Sequence, residues 1–228
     1  MKKVIFWDFD GTLVKTNQSF LSSLLKALKE FEVQIPEDHC SSFLKSACSW
    51  YFPENTYETR TGELWWQDLL EKLEDFLTDC SVPVEKTARI CSRFRQYAVS
   101  YPYEAYEDAQ SALQSARSLG FENYILSNNF PELKASVCRC GFSPYVQEVL
   151  LSSDLGAEKP NPRIFTAAGK TAENPAAAIM IGDNPVADIA GAKAAGLITV
   201  LVHKEGPYPE ADFISPSLSG ILPFLKTI

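Results

Sequence analysis

The chain has 228 residues, 46% hydrophobic and 22% charged, enough to bury a core in one large domain or a main domain with an insertion. A formal net charge of −8 disfavours nucleic acid and anionic membrane as partners, so a small molecule is the expected ligand. No stretch reaches the roughly 20 apolar residues of a membrane span, and the apolar run after Lys2 and Lys3 stops at Asp8, short of a signal core, so a soluble cytoplasmic protein is expected.

Val4-Ile5-Phe6-Trp7 is a short apolar run that ends at polar residues and glycine, the pattern of a strand buried on both faces of a parallel sheet. Between about 15 and 95 that rhythm disappears. Phe20, Leu21, Leu24, Leu25, Leu28 and Phe31 predict one amphipathic helix, and Trp66, Leu69, Leu70, Leu73, Phe76 and Leu77 a second. No strand-like run intervenes, so residues 15–95 read as an α-helical insertion in a core made of 1–14 and 96–228. The residues around Tyr97 to Tyr106 return the chain to that core.

Strands and helices then alternate. A helix is predicted over 107–119 with Gly120 as its stop, then a strand over 121–126 and a helix from about 130 to Gly141. A strand over 146–151, a helix over 162–170, a strand over 178–181, a helix ending at Gly196 and a strand over 197–202 follow. This order predicts a doubly wound, Rossmann-like α/β core with a parallel sheet.

Ligands of such sheets bind beyond the carboxyl ends of the strands. Asp8 and Asp10 fall there after the first strand, Ser127-Asn128-Asn129 after the second, and Gly182-Asp183 after the fourth, with Lys159-Pro160 on the loop beyond the third. Carboxylates brought together repel one another unless a cation neutralises them. All-oxygen donors suit a hard ion, and Mg²⁺ fits best because it also takes waters and substrate phosphate. A carboxylate beside a bound phosphate can attack phosphorus to give an aspartyl-phosphate, while a second carboxylate serves as acid and base. Lys159 and the Ser127 hydroxyl would offset charge on the phosphoryl oxygens.

Asp8-Phe9-Asp10-Gly11-Thr12, Ser127-Asn128, Lys159-Pro160 and Gly182-Asp183 followed by Asp188 resemble the four motifs of the haloacid dehalogenase-like hydrolase superfamily, in order and across essentially the whole chain. The resemblance implies its phosphatase branch, with a helical cap after the first motif. It implies Asp8 as nucleophile and metal ligand, Asp10 as general acid/base with its backbone carbonyl on the metal, and Asp183 as direct metal ligand. Thr12, Ser127 and Asn128 would hold the phosphoryl group, and Lys159 would stabilise the nucleophile and the transferring group. Asp188 would sit behind the metal, pairing with Lys159 or orienting a metal-bound water, and Asn184 beside it. Members that remove halide from carbon lack a carboxylate at the position of Asp10, so its presence favours phosphoryl transfer. The expected activity is Mg²⁺-dependent hydrolysis of a small phosphorylated metabolite. A phosphomutase with the same first step, or a non-catalytic protein of the same fold, are the alternatives.

Other features have plainer readings. Gly11 reads as turn chemistry, Asn129 as a cap of the next helix, and Asp188 equally as a favourable charge at a helix start. Trp50, Trp65 and Trp66 read as packing rather than an aromatic pocket. Arg60 and Lys15 read as surface ion pairs, and the run from Glu71 to Asp75 as a solvated helix face. The six cysteines, at 40, 48, 80, 91, 138 and 140, include no Cys-x-x-Cys pair and are expected to be reduced. Neither the particular substrate nor the oligomeric state is legible.

Overall fold

Six strands, β1 (Lys3–Trp7), β2 (Phe121–Ser127), β3 (Glu148–Leu151), β4 (Ala177–Gly182), β5 (Ile198–Val202) and β6 (Phe213–Ser215), form one sheet in the computed structural model, which describes residues 2–228. Every pairing is parallel and the order is β3-β2-β1-β4-β5-β6. β1 is central, and its residues from Val4 to Trp7 are wholly buried. Side chains alternate across it: Val4 and Phe6 join an apolar cluster on one face, Ile5 and Trp7 the larger cluster on the other. Trp7 pairs with Ile125 of β2 and Ile181 of β4, which brings the ends of all three strands level. The buried polar groups on this face are paired: Trp7 Nε1 donates to Asn123 Oδ1 at 3.0 Å, and Asn123 Nδ2 donates to the carbonyls of Leu113 and Tyr145.

After β1 the insertion is helical: α1 (Ser19–Glu30), α2 (Glu37–Ala47), a short 3₁₀ turn (Ser49–Tyr51), α3 (Glu63–Asp79) and α4 (Val84–Val99). α1 buries Phe20, Leu24, Ala27 and Leu28, a stripe at helical spacing. Phe20 is the hub: its ring stacks on Trp66 of α3 at 5.9 Å, meets Phe94 of α4 edge-on at 5.5 Å, and lies 5.8 Å from Phe130, which follows β2. Beside it, Glu132 accepts from Trp66 Nε1 at 2.7 Å and from Arg95 Nη2 at 2.7 Å, so the insertion and the sheet domain share one apolar cluster with a polar clasp at its rim.

The remaining helices are α5 (Ala109–Ser118), α6 (Leu133–Arg139), α7 (Ser152–Leu155), α8 (Pro162–Thr171), α9 (Gly191–Ala194) and α10 (Leu222–Leu225). A π-helical turn, Pro185–Ala190, leads into α9 where one continuous helix was expected. The short helices α7 and α10 went unpredicted, as did α2, α4 and β6. α2 and α4 bury Cys40, Ala47, Thr87, Cys91 and Ala98 alongside fewer large apolar residues, which blurs their periodicity. β6 is three residues at the sheet edge, too short for an apolar pattern. α4 also runs to Val99, past the expected end of the insertion at 95. All six cysteines are free, and no helix among the described residues is long and apolar enough to cross a membrane.

Candidate active site

β1 ends at Trp7, and Asp8 leaves it with its backbone N–H donating to Ile181 O at 2.9 Å. That bond aims the Asp8 carboxylate beyond the strand ends, where it is 7% exposed. Ligand atoms of Asp8, Asp183 and Asp188 lie within 4.8 Å of one another. Backbone economy permits this crowding. Gly11 has φ +83°, and a Cβ there would stand 2.7 Å from the Asp183 carboxylate; a Cβ on Gly182 would stand 2.2 Å from Asp188 Cγ.

Lys159 Nζ bridges two of the three carboxylates, donating to Asp8 Oδ1 at 2.7 Å and to Asp188 Oδ1 at 2.6 Å. Burial alone would pull the Lys159 ammonium down, but Asp188 and Asp8 outweigh it and hold its pKa well above the usual lysine range. Burial, then the charge of Asp8, pushes the Asp183 carboxyl up. Burial also pushes the Asp188 carboxyl up, with Lys159 pulling against it. With all three carboxylates ionised, one ammonium leaves an excess of negative charge in the pocket, which a divalent cation would offset. The donors are all oxygen, which fits a hard cation of the Mg²⁺ kind.

Asp10 stands apart from this cluster. Its carboxylate is gripped by two amides, Asn17 Nδ2 at 2.8 Å on one oxygen and Asn129 Nδ2 at 2.6 Å on the other. Burial, and then the charge of Asp8, pushes its pKa up to about 7, although both amides favour the charged form. That value suits a group that gives up and takes back a proton near neutral pH.

The other expected residues fall around the same cavity. Thr12 is buried with its Oγ1 within 3.5 Å of both Asp8 Oδ2 and Asp183 Oδ1. Ser127 closes β2 and lines the cavity. Asn128 also lines it, but its amide is spent on Lys159: Nδ2 donates to Lys159 O at 2.9 Å and Oδ1 accepts from Lys159 N at 2.7 Å. It therefore clamps the lysine loop. Asn184 donates its backbone N–H to Asp188 Oδ2 at 3.1 Å, while its side chain caps the turn by accepting from Val186 N and Ala187 N.

Asn17 and Asn129 are the site residues that sequence reasoning did not assign to chemistry. Asn129 sits beside the Ser127-Asn128 motif, so its place was visible but its partner was not. Asn17 lies in no motif. Lys15 and Arg60 form ion pairs with Glu104 and Asp68, as their plainer reading had it. Trp65 and Trp66 are buried packing residues, whereas half-buried Trp50 lines the cavity. The cavity measures about 860 Å³, and its far wall comes from the insertion through Phe20, Leu44, Lys45, Trp50 and Tyr51.

The chain belongs to the haloacid dehalogenase-like hydrolase family, whose model matches residues 2–196. Haloacid dehalogenase-like hydrolase domain-containing protein 3 of Mus musculus is 25% identical over 99% of this chain and 94% of its own length. The phosphoserine phosphatase of Thermus thermophilus is 36% identical over 51% of this chain and 47% of its own. Among solved structures, YfnB from Bacillus subtilis, solved bound to magnesium, superposes with a TM-score of 0.75 at 17% identity, covering 98% of both chains. Haloacid dehalogenases occur among the other structures of the same fold.

Proposed function

We propose that the chain is a Mg²⁺-dependent phosphatase that hydrolyses a small phosphomonoester through an aspartyl-phosphate on Asp8. The observation that carries this reading is the division of labour among the carboxylates. Asp8 faces the cavity within a charge-deficient cluster, and Asp10 is held beside it by two amides at a pKa near neutrality. A phosphatase of this class needs one ionised nucleophile and one proton carrier, close together and in different states.

Asp8 and Asp183, with the backbone carbonyl of Asp10 and support from Asp188 and Asn184, would hold the Mg²⁺. When bound, the ion supplies charge neutralisation and draws electron density from the phosphoryl oxygens. Asp8 attacks phosphorus as Asp10 protonates the leaving ester oxygen. Asp10, now ionised, takes a proton from the water that attacks the aspartyl-phosphate and frees inorganic phosphate. Lys159 offsets charge on Asp8 and the phosphoryl oxygens, Thr12 and Ser127 present hydroxyls to the same group, and Asn128 fixes the Lys159 loop. The helical insertion, residues 15–95, acts as a cap that excludes water and selects the substrate. An 860 Å³ cavity walled by its side chains is of the size that small-molecule sites have. The phosphatases among the relatives point the same way.

A screen of phosphorylated metabolites with Mg²⁺, reading inorganic phosphate, tests the proposal. Phosphate release that EDTA stops, and that Asp8→Asn reduces by at least about 10³-fold, is the expected result. Halide release from 2-haloacids without metal, and no phosphate release across the panel, overturns it.

A further inference from the structure

Glu158 immediately precedes Lys159 and is wholly buried, yet it does not line the cavity. Its Oε1 accepts from Ser49 Oγ at 2.5 Å and from the Tyr57 hydroxyl, both on the helical insertion. Its Oε2 is buried with no hydrogen-bond partner among the described residues. Leaving an acceptor unpaired in the interior costs about 1–3 kcal/mol, so stability alone does not explain a carboxyl at this place.

The contact leads to the cavity wall. Ser49 Oγ also accepts from Trp65 Nε1 at 3.0 Å, Trp65 stacks on Trp50 with ring centroids 5.8 Å apart, and Trp50 and Tyr51 line the cavity. Around the same spot a strap of the insertion is stitched to the core loop. Tyr57 N donates to Gly156 O and Gly62 N to Ser153 O, both at 2.9 Å, and Asn161 Nδ2 donates to Pro53 O at 3.0 Å. Gly156 lets the two backbones meet, since a Cβ there would lie 2.9 Å from Glu58 Cα.

We infer that Glu158 is a positioning residue that fixes the Ser49–Tyr51 turn, and with it the Trp50 and Tyr51 wall of the cavity, from the loop that carries Lys159. Substrate fit thereby depends on one rigid connection across the two parts of the molecule, while Lys159 keeps its own partners in Asp8, Asp188 and Asn128. The kinetic half of its test rests on the phosphatase reading; the spectroscopic half does not.

The test compares Glu158→Ala and Glu158→Gln with the unaltered chain. Acrylamide quenching of tryptophan emission is read without substrate, and kcat and KM for p-nitrophenyl phosphate are read with Mg²⁺. Trp7, Trp65 and Trp66 are buried, so added quenching reports the wall that holds Trp50. Losing a hydrogen-bonded buried carboxyl should raise KM about tenfold in Glu158→Ala and raise quenching, with kcat within about threefold. Glu158→Gln, which keeps an acceptor for Ser49 and Tyr57, should restore most of both. Unchanged quenching and KM in Glu158→Ala overturn the inference, and so does a fall in kcat alone, which would make Glu158 a support of Lys159 only. If Glu158→Ala does not fold, Tyr57→Phe and Ser49→Ala decide by the same readouts: raised quenching and KM support it, unchanged values overturn it. Absence of any phosphatase activity removes the phosphatase reading and leaves the quenching result to decide this one.

Discussion

The carboxyl ends of the strands and the helical insertion face each other across one cavity but are held together by different forces. At the strand ends almost every polar group has an assigned partner: Lys159 has Asp8 and Asp188, Asp10 has Asn17 and Asn129, and the Lys159 backbone has Asn128. The insertion is an aromatic cluster around Phe20 in which contact matters more than atom-to-atom pairing. Charge must be balanced atom by atom, whereas apolar area only has to be covered. The first region can therefore set chemistry, and the second is free to vary the substrate it admits.

Lys159→Met should break that comparison hardest. It leaves Asp8, Asp183 and Asp188 together without their ammonium, and removing one partner of a buried ionic group costs about 3–5 kcal/mol. Activity should vanish, and urea unfolding should become more sensitive to Mg²⁺ than in the unaltered chain, because the cluster then depends on the cation alone. Equal Mg²⁺ stabilisation of both proteins would show that the lysine carries little of the charge balance.

Phe20→Ala tests the apolar side at similar size. Truncating a buried Phe costs about 3–5 kcal/mol through lost transfer energy and cavity formation. Because Phe20 touches Trp50, Trp66, Phe94 and Phe130, that loss should loosen the insertion. KM should suffer more than kcat, and Mg²⁺ sensitivity of unfolding should stay as it was. A kcat loss as large as that of Lys159→Met would erase the distinction between the two regions.

Asn129→Ala sharpens the account of the strand ends with a smaller effect. It removes a 2.6 Å charge-assisted bond to Asp10, an interaction worth about 1.5–3 kcal/mol. On the proposed function, the expected outcome is a kcat reduced by about 10- to 100-fold with KM little changed, since the proposed acid/base group, Asp10, is misplaced while binding is not.

How much of this was legible follows the same division. Three of the core strands announced themselves because their apolar runs stop at residues here proposed to do chemistry: Trp7 before Asp8, Leu126 before Ser127, Ile181 before Gly182-Asp183. Burial and reactivity adjoin in the sequence there, so fold and site could be read together. In the insertion only the Leu- and Trp-rich helices α1 and α3 carried a clear stripe; α2 and α4 spend cysteine, threonine and alanine on their buried faces. Asn17 and Glu158 were hidden for another reason. Glu158 stands in a polar-looking stretch, and its burial depends on Ser49 and Tyr57, 109 and 101 positions away. No local pattern encodes such a pairing.

Glu158 also supplies the smallest and most discriminating test, because it belongs to both regions at once. Burial pushes its carboxyl above the ordinary glutamate range, while the hydroxyls of Ser49 and Tyr57 and the charge of Lys159 pull it back. A carboxyl whose folded pKa exceeds its unfolded value binds its proton more tightly in the native state. Its contribution to stability is thus complete below the unfolded pKa and is lost as pH rises through the folded one. Gln at this position does not titrate. The Tm of Glu158→Gln relative to the unaltered chain should therefore be more favourable at about pH 8 than at about pH 5, read by thermal unfolding in Mg²⁺-free buffer. A difference of the opposite sign would mean that the two hydroxyls and Lys159 overcome burial. Glu158 would then be an ordinary stabilising carboxylate, and the connection between cavity wall and lysine loop would be a source of stability in its own right.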